Sequence, residues 1–234
     1  GAEAIRQAST HPGHIATLIL PGDTAWNKGA EPVPTAKPNA PAAPSMNKIE
    51  KAVKTLSSGK RTGIFLKGPT LREPGLTLAG KIAAKTGARL YAPTSNARID
   101  RGAGRVAVER VPYVVELAVE RLSDLEHMIG IGDAEPVAFF AYPNKPRRIL
   151  PDNCTVQHLA TEEEDGTRAL EMLVDALDAH NETPSVADRR EPELPTGELT
   201  QDTIAATVSA LLPENAIVVD ESISSGRQLN WQTS

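Results

Sequence analysis

The chain has one cysteine, few aromatic residues, no long apolar run and no excess of basic charge. Each shortage removes a class of protein. The single cysteine, Cys154, forms no internal disulfide, which argues against a small disulfide-stapled domain and suits a reducing cytoplasm. A net charge of −5 without a long Lys/Arg run leaves no electrostatic footprint for nucleic acid. The apolar runs are strand-sized, far short of the roughly 20 residues that span a bilayer, and the N-terminus lacks the basic, apolar and small-residue order of a signal peptide. Neither a nucleic acid nor a membrane is expected as a partner. His11, His14, His127, His158 and His180 are scattered without metal-ligand spacing, and no histidine stands at a motif distance from Cys154 that would mark a nucleophile.

What is present divides along its composition. From Gly29 to Pro44 the sequence is rich in Pro and Ala, and Pro32, Pro34, Pro38, Pro41 and Pro44 prevent a helix and favour extended polyproline geometry. A second polar, Pro-punctuated stretch runs from Asn181 to Pro195 around the charge cluster Asp188-Arg189-Arg190-Glu191. Strongly patterned sequence borders both, so they read as domain connectors at 29–45 and 181–195, enclosing a domain at 46–180. The flanks look like pieces of domains completed elsewhere. Residues 1–28 hold a helix-to-strand passage ending in Ile15–Leu20, and 196–234 hold a strand, Ala216-Ile217-Val218-Val219, leading into Asp220-Glu221-Ser222.

Within 46–180, strand and helix patterns alternate as in a Rossmann-like, doubly wound parallel α/β sheet. Strands are expected at 62–66, 89–92, 127–131, 147–150 and 155–159. Helices are expected at 76–86, stopped by Gly87, at 113–122, and at 167–180 with Leu170, Leu173, Val174 and Leu177 on one face. Ligands of such sheets sit at the carboxyl ends of the strands, which nominates Lys67-Gly68-Pro69-Thr70, Pro93-Thr94-Ser95-Asn96 and Gly130-Ile131-Gly132-Asp133, with Arg101–Arg105 nearby. None fits a dinucleotide fingerprint, because Glu135 stands where a third glycine belongs, and no Walker sequence occurs. Tight packing turns are the favoured reading of these glycines. The acidic run Glu162–Asp165 reads as a solvated helix start, and Phe139, Phe140 and Tyr142 read as core.

Three stretches, in order, carry a resemblance to the thiamine diphosphate-dependent enzymes related to acetolactate synthase large subunit and benzoylformate decarboxylase. His11-Pro12-Gly13-His14 through Pro21-Gly22-Asp23 resembles the last helix and strand of the pyrimidine-binding domain. Asn96 through Tyr113, with Pro136–Pro143 later, resembles the central domain. Ile217 through Gly226 is similar to the opening strand and loop of the diphosphate-binding domain.

The resemblance implies a thiamine diphosphate- and Mg²⁺-dependent enzyme, a carboligase or decarboxylase of a 2-oxo acid, cytoplasmic and working as a homodimer or homotetramer. It implies that Glu221, Ser222, Ile223, Ser224 and Ser225 lie beside the cofactor, Ile223 through its backbone alone. The same serines could instead cap the helix that follows. The family's catalytic glutamate and its Gly-Asp-Gly metal motif match nothing in these 234 residues, so no catalytic or metal-binding residue is assigned and the chain alone is expected to be inactive. FAD in the central domain is possible in this family but not favoured here, with Arg98, Arg101 and Arg105 as the groups to watch. The alternative is a stand-alone, non-catalytic Rossmann-type nucleotide-binding or interaction module, whose end segments would fold onto the central sheet.

Overall fold

The structure, a computed structural model, describes all residues except Ala30, Asp133, Ala134, Glu191, Ile223 and Ser234. In chain order it contains α1 (Ala2–Ser9), α2 (Gly22–Trp26), α3 (Met46–Leu56), β1 (Thr62–Leu66), a 3-10 turn at Gly68–Leu71, and α4 (Glu73–Thr86). There follow β2 (Arg89–Ala92), β3 (Glu109–Arg110), α5 (Val115–Leu122), β4 (His127–Gly132), β5 (Thr155–Thr161), α6 (Gly166–Ala176), α7 (Gln201–Leu211) and α8 (Leu229–Gln232).

The five strands form one sheet, parallel throughout, in the order β3-β2-β1-β4-β5. The chain steps outward from β1 to β2 and β3, then returns to the other side of β1 for β4 and β5, which is the doubly wound pattern. All five residues of β1 are buried, as a strand covered on both faces must be. Alternate residues then divide between two cores. Ile64, Leu66, Leu90, Ile129 and Ile131 face α3, α4 and α6, whereas Phe65, Tyr91 and Met128 face α5 together with Ile149, Leu150 and Cys154. The helix α4 ends where Gly87 takes φ +75° and its N–H bonds the Ala83 carbonyl, a left-handed C-cap. The helix α6 is shorter than its pattern, because Asp178 adopts φ +50° and turns the chain away.

Three segments differ from expectation. Residues 147–150 form no strand. Arg148 donates to the Pro151 and Cys154 carbonyls and to Glu135, curling the segment so that Ile149 and Leu150 pack over the sheet instead of pairing with it. The fifth strand of the sheet is instead β3, at one edge, whose Glu109 and Arg110 pair with Tyr91 and Ala92. Phe139, Phe140 and Tyr142 do not enter the core either; they stack edge-on against one another at the surface beside Tyr113, with Phe139 60% exposed. The apolar segments 15–20 and 216–219 run without strand pairing, with Ile15 99% and Val219 79% exposed.

Inside the second core, the Tyr91 hydroxyl is buried with no hydrogen-bond partner among the described residues. Such a group carries a desolvation cost with no return. Tyr91→Phe is therefore expected to leave stability unchanged or raise it by up to about 1 kcal/mol, whereas Met128→Ala, in the same core, should lower it by about 2–5 kcal/mol. Urea unfolding midpoints at constant slope measure both, and a clear loss of stability in Tyr91→Phe would mean that the hydroxyl has a partner.

Candidate functional site

Two places in the fold compete for a ligand: the crevice at the carboxyl ends of β1, β4 and β5, and the loop 220–226. The crevice lies at the switch point of the sheet, where open α/β folds bind ligands. Its walls are close. After β1, Gly68 takes φ +60° and the Thr70 hydroxyl donates to the Lys67 carbonyl at 2.9 Å, folding the turn under α4. At Gly166, the first residue of α6, a Cβ would stand 2.8 Å from Ile131 Cγ2 and 2.9 Å from Thr70 Cγ2, so the helix start is pressed onto the ends of both strands.

The electrostatics of the crevice also oppose an anion. A helix N-terminus favours negative charge, but here the chain supplies its own. The Asp165 carboxylate accepts from Arg168 N–H at 2.9 Å, and Glu164 accepts from Thr161 N–H at 2.8 Å and from Lys48 Nζ. The cation best placed for a phosphate, Lys67, pairs with Glu162 at 2.5 Å. Burial works against ionisation of Glu164, yet the hydrogen bonds and charge of Lys48 and the Thr161 N–H prevail and hold its pKa below the usual carboxylate value. The acidic run is thus a half-buried brace between α3 and α6 as well as a helix start. These residues do not fit the phosphates of a flavin or other nucleotide in the crevice.

The other nominated loops are closed on themselves. The Thr94 hydroxyl donates to the Val111 carbonyl and Asn96 to the Pro93 carbonyl. Gly132 takes φ +89°, with its Cβ position 3.1 Å from Lys67 Cβ, and Asp133 lies outside the described residues. Of the arginines to watch, Arg98 lies 3.4 Å from Asp100, while Arg101 and Arg105 line a cavity away from the crevice. The histidines are not brought together: among the described residues no group of three or more His, Cys, Asp or Glu side chains could hold a metal ion. Cys154 is buried, and burial pushes its thiol pKa up.

The loop 220–226 presents different chemistry. Asp220 Oδ1 accepts from both the backbone N–H and the hydroxyl of Ser222, at 2.9 and 2.5 Å. Gly226 leaves room for this side-chain arrangement: a Cβ there would stand 2.7 Å from Asp220 Oδ1 and overlap the Ser222 hydroxyl, so those side chains would have to turn away. Glu221, Ser222, Ser224 and Ser225 are all exposed, and Ile223 lies outside the described residues. The serines do not cap the next helix, since α8 begins at Leu229 behind Gln228 with no side-chain cap. Their hydroxyls are donors of the kind that fits a diphosphate oxygen. Glu221 carries only acceptors in its side chain, so the backbone is its sole source of a donor to an anion.

A scan against protein-family profiles finds no match. Sequence comparison finds 41% identity over 225 residues with a Mycobacterium tuberculosis protein provisionally named acetolactate synthase large subunit IlvX, covering 96% of this chain and 43% of that one. Structural comparison finds the thiamine diphosphate-dependent 4-hydroxybenzoylformate decarboxylase of Rhodococcus jostii RHA1, at TM-score 0.66 and 18% identity, over 99% of this chain and 47% of that one. It also finds a Mycobacterium smegmatis protein provisionally described as a thiamin diphosphate-dependent enzyme, at TM-score 0.61 and 18% identity, over 92% and 44%. The fold is that of the thiamine diphosphate-dependent enzymes. By sequence the chain is homologous to the M. tuberculosis acetolactate synthase large subunit-like protein, and it spans less than half the length of the relatives it matches.

The brace at Glu164 has a pH signature. Its pKa is lowered in the folded state, so its contribution is present above the ordinary carboxylate range and is lost as pH falls through the folded value. Glu164→Gln should be less stable than the parent at neutral pH, and its melting temperature should fall less steeply between about pH 5 and pH 3. Parallel acid slopes for the two proteins would exclude the brace.

Proposed function

We propose that the chain is part of a thiamine diphosphate- and Mg²⁺-dependent carboligase or decarboxylase acting on a 2-oxo acid. The observation that carries this is the 41% identity to the acetolactate synthase large subunit-like relative, which runs through both flanks as well as the middle. The fold neighbours support it. On this reading 46–180 is the central domain, 29–45 and 181–195 are connectors, 1–28 closes a pyrimidine-binding domain, and 196–234 opens a diphosphate-binding domain. The exposed apolar segments 15–20 and 216–219 support the division, because unpaired strand-like runs of this kind belong in the interior of a parallel sheet. They weigh against a self-contained Rossmann module.

The cofactor, when bound, supplies the electron sink that decarboxylation of a 2-oxo acid requires. This chain's part is to hold it. The Ser222, Ser224 and Ser225 hydroxyls and the backbone N–H groups from Glu221 to Ser225 donate to the diphosphate, with Ser222 exchanging its bond to Asp220 for one to the ligand. The sequence carries no Gly-Asp-Gly motif, so Mg²⁺ and the reacting end of the cofactor are held by residues outside these 234 and the chain alone is inactive. The complete enzyme is a cytoplasmic homodimer or homotetramer.

Calorimetric titration of this chain with thiamine diphosphate and Mg²⁺ should give no binding tighter than about 1 mM, and tight binding would contradict a divided site. In a polypeptide spanning the relatives' full length, Ser225→Ala should weaken thiamine diphosphate by about tenfold, the loss of one hydrogen bond to a charged group. An unchanged affinity would remove the loop from the cofactor site.

A further inference from the structure

Away from the acidic crevice, the connection between β2 and β3 and the C-terminal helix α8 enclose a cavity of about 180 Å³. Its walls include Arg101, Arg105 and Arg110 from the connection and from β3, with Ile99, Asn230 and Trp231 beside them. Three guanidiniums on one small cavity demand a counter-charge. Asp100 is the single carboxylate in the lining, and it is already engaged: it accepts from Glu73 N–H at 3.0 Å and lies 3.4 Å from Arg98 Nε and 3.9 Å from Arg72 Nη1.

The arginines find mainly neutral partners. Arg101 donates to the Asn230 carbonyl at 2.8 Å and to the Thr233 hydroxyl, and Arg110 donates to the Thr94 carbonyl at 2.9 Å. Neither forms an ion pair among the described residues, and Asp220 acts on Arg110 only at longer range. Burial lowers the pKa of both, and the charge of Arg110 lowers that of Arg101 further. Arg105 Nε is buried and makes no hydrogen bond, its nearest counter-charge being the Glu73 carboxylate at 3.6 Å, a loose ion pair. A guanidinium has five donors in a fork that matches an oxyanion, and several remain unspent here. Among the described residues Arg101 and Arg110 have no carboxylate partner, and partly buried positive charges of that kind are unfavourable until an anion joins them.

We infer that this cavity is a binding site for a compact oxyanion, of phosphate or small dicarboxylate size, held by Arg101, Arg105 and Arg110. Its volume is below the roughly 300–1,000 Å³ of pockets that enclose drug-sized ligands, so it suits a compact ligand better than an intact nucleotide. The site shares no residue with the crevice or with the loop 220–226, and it stands whether or not the chain serves a thiamine diphosphate enzyme.

The test uses the 234-residue chain at fixed ionic strength. Inorganic phosphate and malonate are titrated separately by calorimetry, with ADP as the size control and chloride as the reference. Saturable binding of phosphate or malonate is expected, the stronger of the two identifying the ligand chemistry, and ADP should bind no tighter than phosphate. Arg105→Gln should weaken that binding about tenfold, the value of one charge-assisted hydrogen bond, while Arg98→Gln, outside the cavity, should leave it unchanged. A second readout needs no arginine variant: in Trp26→Phe, the fluorescence of Trp231 should titrate with the same midpoint. Absence of saturable binding, equal binding by Arg105→Gln and the parent, or tighter binding of ADP would each overturn the assignment.

Discussion

The rest of the structure depends on the burial of β1 from both sides. A parallel strand at the centre of a sheet exposes no face to water, so Thr62–Leu66 must be covered by helices above and below. Ile64 and Leu66 fix the position of α3, α4 and α6, and Phe65 fixes α5. Once those layers close, the carboxyl ends of β1 and β4 are brought side by side and the crevice between them is defined. What fills the crevice is then a matter of local sequence. Here it is Thr70, Ile131 and the carboxylates of 162–165, which leave neither the room nor the charge for a phosphate.

The parts of the fold that could be read from the sequence are those where one physical signal dominates. The apolar runs of β1 and β4, bounded by Gly and Lys, announce buried strands, and Gly87 announces the end of α4. The strand β3 carries no such signal, because Glu109 and Arg110 form a two-residue edge with half-exposed polar side chains. Residues 147–150 mislead for the opposite reason: Ile149 and Leu150 are apolar because they cover the sheet, and only the contacts of Arg148 reveal that they do not join it. The aromatic trio at 139–142 looks like core by composition, yet among the described residues α5 is the one helix on that face of the sheet and nothing covers the trio.

The candidate loop could be nominated from the sequence, but its geometry could not. Serines followed by glycine after an apolar strand fit both a cofactor loop and a helix cap, and the late start of α8 favours the first. That Gly226 makes room for the close approach of Ser222 and Asp220 could not be seen without coordinates. Nor could the convergence of Arg101 and Arg105, on a connection of no regular pattern, with Arg110 of β3. The parallel sheet thus emerges as a scaffold whose crevice is shut, while the polar surfaces of interest lie where it meets the segment that follows residue 195.

The most direct test is a crystal structure of a polypeptide spanning the relatives' full length, grown with thiamine diphosphate and Mg²⁺. The serine hydroxyls of the 220–226 loop should lie within about 3 Å of the diphosphate oxygens, with the crevice between β1 and β4 holding no nucleotide. A diphosphate bound elsewhere, or a flavin or other nucleotide in that crevice, would contradict the assignment of cofactor contact to the loop and of scaffold to the central sheet.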